Sequence, residues 1–159
     1  MNIKFLYLLT VISAVLPAFN ANAYTVNVTV KLVRPLPCVI NGTKDIDVSF
    51  KDALNTDLIN GSNYIQSIGY DLNCPDAQPG SFMRLMMKGD DFGDGALKTN
   101  VEGLGIALKM DKNALAVNKW VTFNYQNKPV LQAVPVKKDN ITLSGSDFKA
   151  TASLLVDYQ

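Results

Sequence analysis

Apolar and polar residues alternate with period two along most of this chain. The first clear run spans residues 24–33. It puts Val26, Val28, Val30 and Leu32 on one face and Thr25, Asn27, Thr29 and Lys31 on the other. That is the pattern of a half-buried β-strand. Pro35 and Pro37 follow at once and set the run apart from the body of the chain. Such a strand is either the first strand of its own domain or a strand free to complete a sheet edge on another molecule, a known mode of strand addition.

Further strands are predicted downstream. Ile46, Val48 and Phe50 alternate, as do Ile68, Tyr70, Leu72 and Cys74, which places Cys74 facing inward near a strand end. Met83, Leu85 and Met87 mark the next strand, followed by a turn-rich connection over residues 89–95. Leu104, Ile106, Leu108 and Met110 mark another. Residues 120–125 and 130–136 supply two more, and the last runs through Phe148, Ala150, Ala152, Leu154, Val156 and Tyr158. Only a weak helical period is present, over residues 112–117. Short strands separated by turn signals predict an all-β sandwich. No internal repeat or linker divides it, so one domain is expected.

The region before the first alternation has a different character. Lys4 precedes an apolar core over residues 5–15, and Ala21-Asn22-Ala23 fits a small-residue cleavage site. This reads as a secretory signal over residues 1–23. A membrane anchor fits less well, because Pro17 interrupts a run already short of the about 20 residues that a span needs. Cleavage leaves about 136 of the 159 residues, enough for one domain with a core.

Charge then narrows the partners. The chain has 15 basic and 14 acidic residues, and the signal removes one Lys, so the mature chain is neutral. Neutrality argues against nucleic acid and anionic membranes as partners. There is no histidine, which removes the usual general base and the commonest metal ligand. Cys38 and Cys74 are the two cysteines, and an even pair in an exported chain reads as a disulfide, here closing a loop of about 37 residues. Asp90, Asp91 and Asp94 lie among glycines but lack the spacing and terminal Glu of a calcium loop, so a solvated turn is expected. Gly103 and Gly105 fall within a strand pattern, where glycine marks a bulge or a close backbone approach. No catalytic, metal or cofactor site is expected, and the chain reads as a non-enzyme.

Four stretches carry a family resemblance. They are the alternating N-terminal segment leading to Pro37-Cys38-Val39-Ile40-Asn41-Gly42, the second cysteine closing Tyr70-Asp71-Leu72-Asn73-Cys74, the strand Gly103-Leu104-Gly105-Ile106-Ala107-Leu108, and the C-terminal run over residues 145–159 with its penultimate Tyr158. With them the mature chain resembles bacterial fimbrial (pilus) subunits of the chaperone–usher pathway, and most of all minor or adaptor subunits of P-type pili. Lys31 departs from the small Gly that donor segments of that family carry at this distance from the first cysteine, and Ser146 stands where a Gly is common, with Gly145 beside it.

The resemblance implies an incomplete immunoglobulin-like sandwich that lacks its last strand and is completed by a donor strand from a chaperone or a neighbouring subunit. It implies residues 24–35 as the donor extension and 36–159 as the pilin domain. Val26, Val28, Val30 and Leu32 are then the inserting side chains. Phe148, Ala150, Ala152, Leu154, Val156 and Tyr158 lie on the strand that edges the groove and meets the chaperone. The implied partners are a periplasmic pilus chaperone, the outer-membrane usher and adjacent pilus subunits, and the implied destination is the cell-surface fimbrium. Within that setting a minor or adaptor subunit contributing to adhesion is expected; an assembly terminator and a small receptor-binding module are the alternatives.

Overall fold

The computed structural model describes residues 37–50 and 53–159. The chain outside those ranges includes the expected signal and donor extension, residues 1–35. The described chain is almost entirely β. Strands β1 (Val39–Ile40), β2 (Gln66–Ile68), β3 (Leu72–Asn73) and β4 (Phe82–Gly89) come first, then β5 (Asp91–Gly93), β6 (Ala96–Lys98), β7 (Leu104–Met110) and β8 (Asn113–Leu115). Strands β9 (Val121–Asn124), β10 (Leu131–Lys137) and β11 (Ala152–Tyr158) complete the set.

Two antiparallel sheets face each other. One runs β2-β10-β7-β6-β5, with β8 also pairing β7; the other runs β11-β4-β9. A small β1-β3 pair lies beside them. Period-two alternation explains the layering. In β4, Met83, Leu85 and Met87 are buried while Phe82, Arg84, Met86 and Lys88 point outward. The buried row meets Leu97, Ile106, Leu108, Leu131 and Ala133 from the opposite sheet in one apolar cluster. Burial of these side chains on two inner faces holds the sandwich together.

Several sequence expectations are refined by tertiary contacts. The strand through Ile68 to Cys74 is two short strands, because β2 pairs β10 and β3 pairs β1. The connection over residues 89–95 contains β5, which returns into β6 through Asp94 and Gly95. Both have positive φ, 54° and 78°, as a tight primed hairpin turn requires. The weak helical stretch over residues 112–117 is β8, hairpinned onto β7 through Asp111 and Lys112, also at positive φ. The terminal alternation is a ladder only from Ala152 onward; residues 148–151 are outside it. Gly105 is a close-approach glycine, since a Cβ there would stand 2.7 Å from Cγ of Phe92.

Candidate acceptor groove

Two segments of chain border a cavity of about 1280 Å³. That exceeds the few hundred to 1,000 Å³ usual for small-molecule pockets.

The first rim is residues 43–50. It begins where Asn41, Gly42 and Thr43 take left-handed conformations in succession, with φ of 50°, 59° and 68°. Asn and Gly tolerate that region, whereas a β-branched Thr does so only under constraint. The Asn41 side chain supplies part of it, donating from Nδ2 to the carbonyls of Lys44 (3.1 Å) and Asp45 (3.2 Å). The turn leads the chain away from β1. Ile46, Val48 and Phe50 then face the core while Asp45, Asp47 and Ser49 are exposed. The alternation is that of the expected strand, but among the described residues this stretch has no ladder partner.

The disulfide anchors the foot of that rim. Cys38 and Cys74 are bonded. Beside them Val39 and Ile40 pair with Asn73 and Leu72, and the Asn41 amide donates to the Asp71 carbonyl at 2.8 Å.

The second rim is residues 143–154. Strand β11 pairs with β4 on one side only, from Ala152 opposite Gly89 to Tyr158 opposite Met83. Among the described residues nothing pairs with its other edge. Phe148, Ala150, Ala152 and Leu154 line the cavity. Val156 and Tyr158 continue the inward row beyond it and pack on the main core. The Tyr158 hydroxyl accepts from the Asp76 amide at 3.3 Å, tying the strand's end to the loop after Cys74. At one point the rims meet: the rings of Phe50 and Phe148 lie 5.7 Å apart between centroids.

The floor is apolar. Ile68, Met87, Leu97, Ile106, Leu108 and Ala133 reach the cavity from both sheets. Ile59, Leu104 and Leu143 extend it as a second small cluster. Sequence patterning marks these residues only as core. Their second role as a groove floor depends on two distant segments bordering one space.

The electrostatics are those of a scaffold. Arg84 donates to the Asp157 carboxylate at 2.6 Å on the outer face of β4 and β11, and its guanidinium lies 4.7 Å over the Trp120 ring. That hydrogen bond holds Asp157 below the usual carboxylate range. Burial, with the Asp111 charge nearby, pushes the Tyr70 hydroxyl up to about 12; it donates to the Pro129 carbonyl at 2.8 Å. Among the described residues no group of acids and cysteines is placed to hold a metal ion. In the turn at residues 90–94 the Asp91 carboxylate accepts from the Gly93 amide at 2.8 Å.

What this arrangement can do is accept an extended chain. The irregular chain over residues 43–50 and the open side of β11 leave backbone donors and acceptors to be paired, and the apolar floor between them takes alternate side chains. Together with its topology, this defines an incomplete immunoglobulin-like sandwich that lacks a strand, the fold of a pilin. The chain belongs to the fimbrial protein family, whose model matches residues 20–159. The fimbrial-like protein YfcR of Escherichia coli (strain K12) is 37% identical over 132 residues, covering 79% of this chain and 75% of the relative. YfcQ of the same strain is 38% identical over 135 residues, covering 80% and 83%. Among solved structures, the P pilus adaptor subunit PapF aligns with a TM-score of 0.59 and 26% identity over 79% of this chain and 98% of that one. The P pilus rod subunit PapA shares the fold, with a TM-score of 0.57 and 17% identity over 78% and 100%. Family and fold are those of structural pilus subunits, not of enzymes.

The expected inserting residues Val26, Val28, Val30 and Leu32 lie outside the described residues. The groove residues that sequence reasoning left unassigned are Ile46, Val48 and Phe50. Their alternation was the available signal, and it reads equally well as an ordinary core strand.

Proposed function

We propose that this chain is a minor or adaptor-type subunit of a surface fimbria, assembled by donor-strand exchange. Its groove first takes a strand from a periplasmic chaperone. At the outer-membrane usher it then takes the N-terminal segment of a neighbouring subunit. Residues 1–23 are a cleaved export signal, residues 24–35 are the extension donated to the next subunit, and residues 36–159 are the pilin domain. The observation that carries this is the pair of facing, unpaired edges across an apolar floor. Four inserted apolar side chains contribute about 1.5–3 kcal/mol each by burial, with a ladder of backbone bonds in addition. Head-to-tail donation does not close on itself and so builds a filament. The adaptor position is favoured by the 26% identity to PapF over almost the whole of that subunit. In that position the subunit serves adhesion as part of the fibre.

The test separates the two ends of the chain. Val28→Asp or Val30→Asp is expected to leave co-purification with the chaperone intact and abolish incorporation into fibres. Phe148→Asp or Leu154→Asp is expected to lose the chaperone complex itself. A carboxylate buried in a groove is prohibitive, whereas the same group on a solvated segment costs almost nothing. Equal loss of chaperone binding at both ends refutes the donor role of residues 24–35.

A further inference from the structure

The sequence contains two Asn-Gly pairs, Asn41-Gly42 and Asn60-Gly61. An asparagine before a glycine can lose its side-chain amide without a catalyst. The main-chain nitrogen of the glycine gives up its proton and attacks Cγ of the asparagine. The Cγ–Nδ2 bond breaks, and Nδ2 leaves as ammonia. Water then opens the five-membered imide to aspartate or, with the chain rerouted through the side chain, to isoaspartate. Glycine admits the attack because it has no Cβ to crowd it. The step needs a free asparagine side chain and an unengaged main-chain N–H.

The fold treats the two pairs differently. The Gly61 amide donates to the Pro135 carbonyl at 3.2 Å, which engages its proton and holds its nitrogen against β10. The Asn60 side chain is held as well, its Oδ1 accepting from the Ser62 and Asn63 amides at 2.9 Å each. Gly42, in contrast, is exposed, and among the described residues nothing accepts from its amide. The Asn41 side chain is held by the bonds from Nδ2 to the Lys44 and Asp45 carbonyls. Both carbonyls belong to the first rim, which among the described residues has no ladder partner. Local opening of that rim frees the Asn41 side chain beside an unengaged nitrogen. The reaction then removes the atom that held the rim. The carboxylate left in its place is an acceptor only, set against the two carbonyl oxygens that Nδ2 had served.

Resting on the reading of the groove as a strand acceptor, we propose that Asn41 is a spontaneous deamidation site gated by the occupancy of the groove. A strand in the groove pairs the rim and keeps Asn41 unreacted. An empty groove lets the rim open, and deamidation makes the loss of the rim permanent. A subunit that stays unfilled too long is thereby withdrawn from assembly. Water is the only co-reactant.

The experiment ages the dilute mature chain in mildly alkaline buffer, with and without a synthetic peptide of residues 24–35. Peptide mapping by mass spectrometry follows each asparagine. Asn41 is expected to convert while Asn60 persists. Peptide at about 100 times its Kd is expected to slow the conversion by up to about a hundredfold, because only the empty fraction reacts. Asn41→Asp is expected to bind the peptide roughly tenfold or more weakly, since two hydrogen bonds are lost. Should that variant not fold, the aged natural chain, separated from unreacted chain by its added negative charge, gives the same comparison. Conversion of Asn60 as fast as Asn41 overturns the site. Equal rates at Asn41 with bound peptide and without it overturn the gating and leave the strand-acceptor reading standing. Unchanged peptide affinity after conversion overturns the loss of the rim. A peptide that does not bind overturns the strand-acceptor reading and the gating together, while the preference for Asn41 over Asn60 is still read from the chain alone.

Discussion

Removing the disulfide tests whether the groove's first rim is held from its foot. The bridge joins Cys38 and Cys74 across a sequence separation of 36. In the chain-entropy treatment a closed loop of about 37 residues lowers the entropy of the unfolded chain by about 13 cal/mol/K, or about 4 kcal/mol at 25 °C. For a domain of this size that corresponds to a fall in Tm of roughly 12–20 °C. Little else secures the same place: β1 and β3 pair over two residues, and the Asn41 amide adds one bond to the Asp71 carbonyl. Alanine at both positions is the cleaner perturbation, because Cys74 is only 2% exposed and a serine hydroxyl there would be buried. The assay is a pair of thermal melts of natural and Cys38→Ala/Cys74→Ala mature chain, each saturated with the peptide of residues 24–35, together with the peptide Kd. The variant should melt lower by the amount above and bind the peptide more weakly, because the rim over residues 43–50 loses its anchor. A Tm shift of only a few degrees refutes the loop-entropy reasoning. A full Tm shift with unchanged peptide affinity refutes the claim that the bridge positions the rim.

Other expectations concern single sites. Gly105→Ala drives a Cβ into the Phe92 ring and should destabilise by about 1–3 kcal/mol in a denaturant titration; adding Phe92→Ala should restore part of the loss, and strict additivity would contradict the contact. Tyr70 should ionise near pH 12, in ultraviolet difference titration, as a late component absent from Tyr70→Phe. Its pKa is raised on folding, so its contribution to stability is fully present below about pH 10 and lost as pH rises through about 12. Asp157→Asn should cost under about 1 kcal/mol despite the short bond to Arg84, since both side chains are near half-exposed; its lowered pKa places any loss on the acid side, as pH falls below the ordinary carboxylate value.

Much of this protein is determined locally. Large apolar residues at every second position, Met83, Leu85 and Met87 in one stretch and Leu104, Ile106 and Leu108 in another, specify strands, because a period of two matches the pleat. The lack of histidine and the even pair of cysteines are visible in composition alone, whereas the C-terminal run resembles a pilin's closing strand through the order of its residues. Local pattern could not separate hairpins from longer connections. Residues 91–93 and 113–115 become strands only because Gly95 and the Asp111–Lys112 turn bring them alongside β6 and β7. Tertiary structure alone decided the groove. Ile46, Val48 and Phe50 have the same alternation as any core strand, and Leu154 has the same apolar character as Leu108. Whether a strand edge is paired or open depends on which segment lies next to it in space, and that is a non-local property. Here a left-handed turn at Asn41-Gly42-Thr43 and a disulfide to Cys74 set one edge along the cavity, and the one-sided pairing of β11 with β4 sets the other.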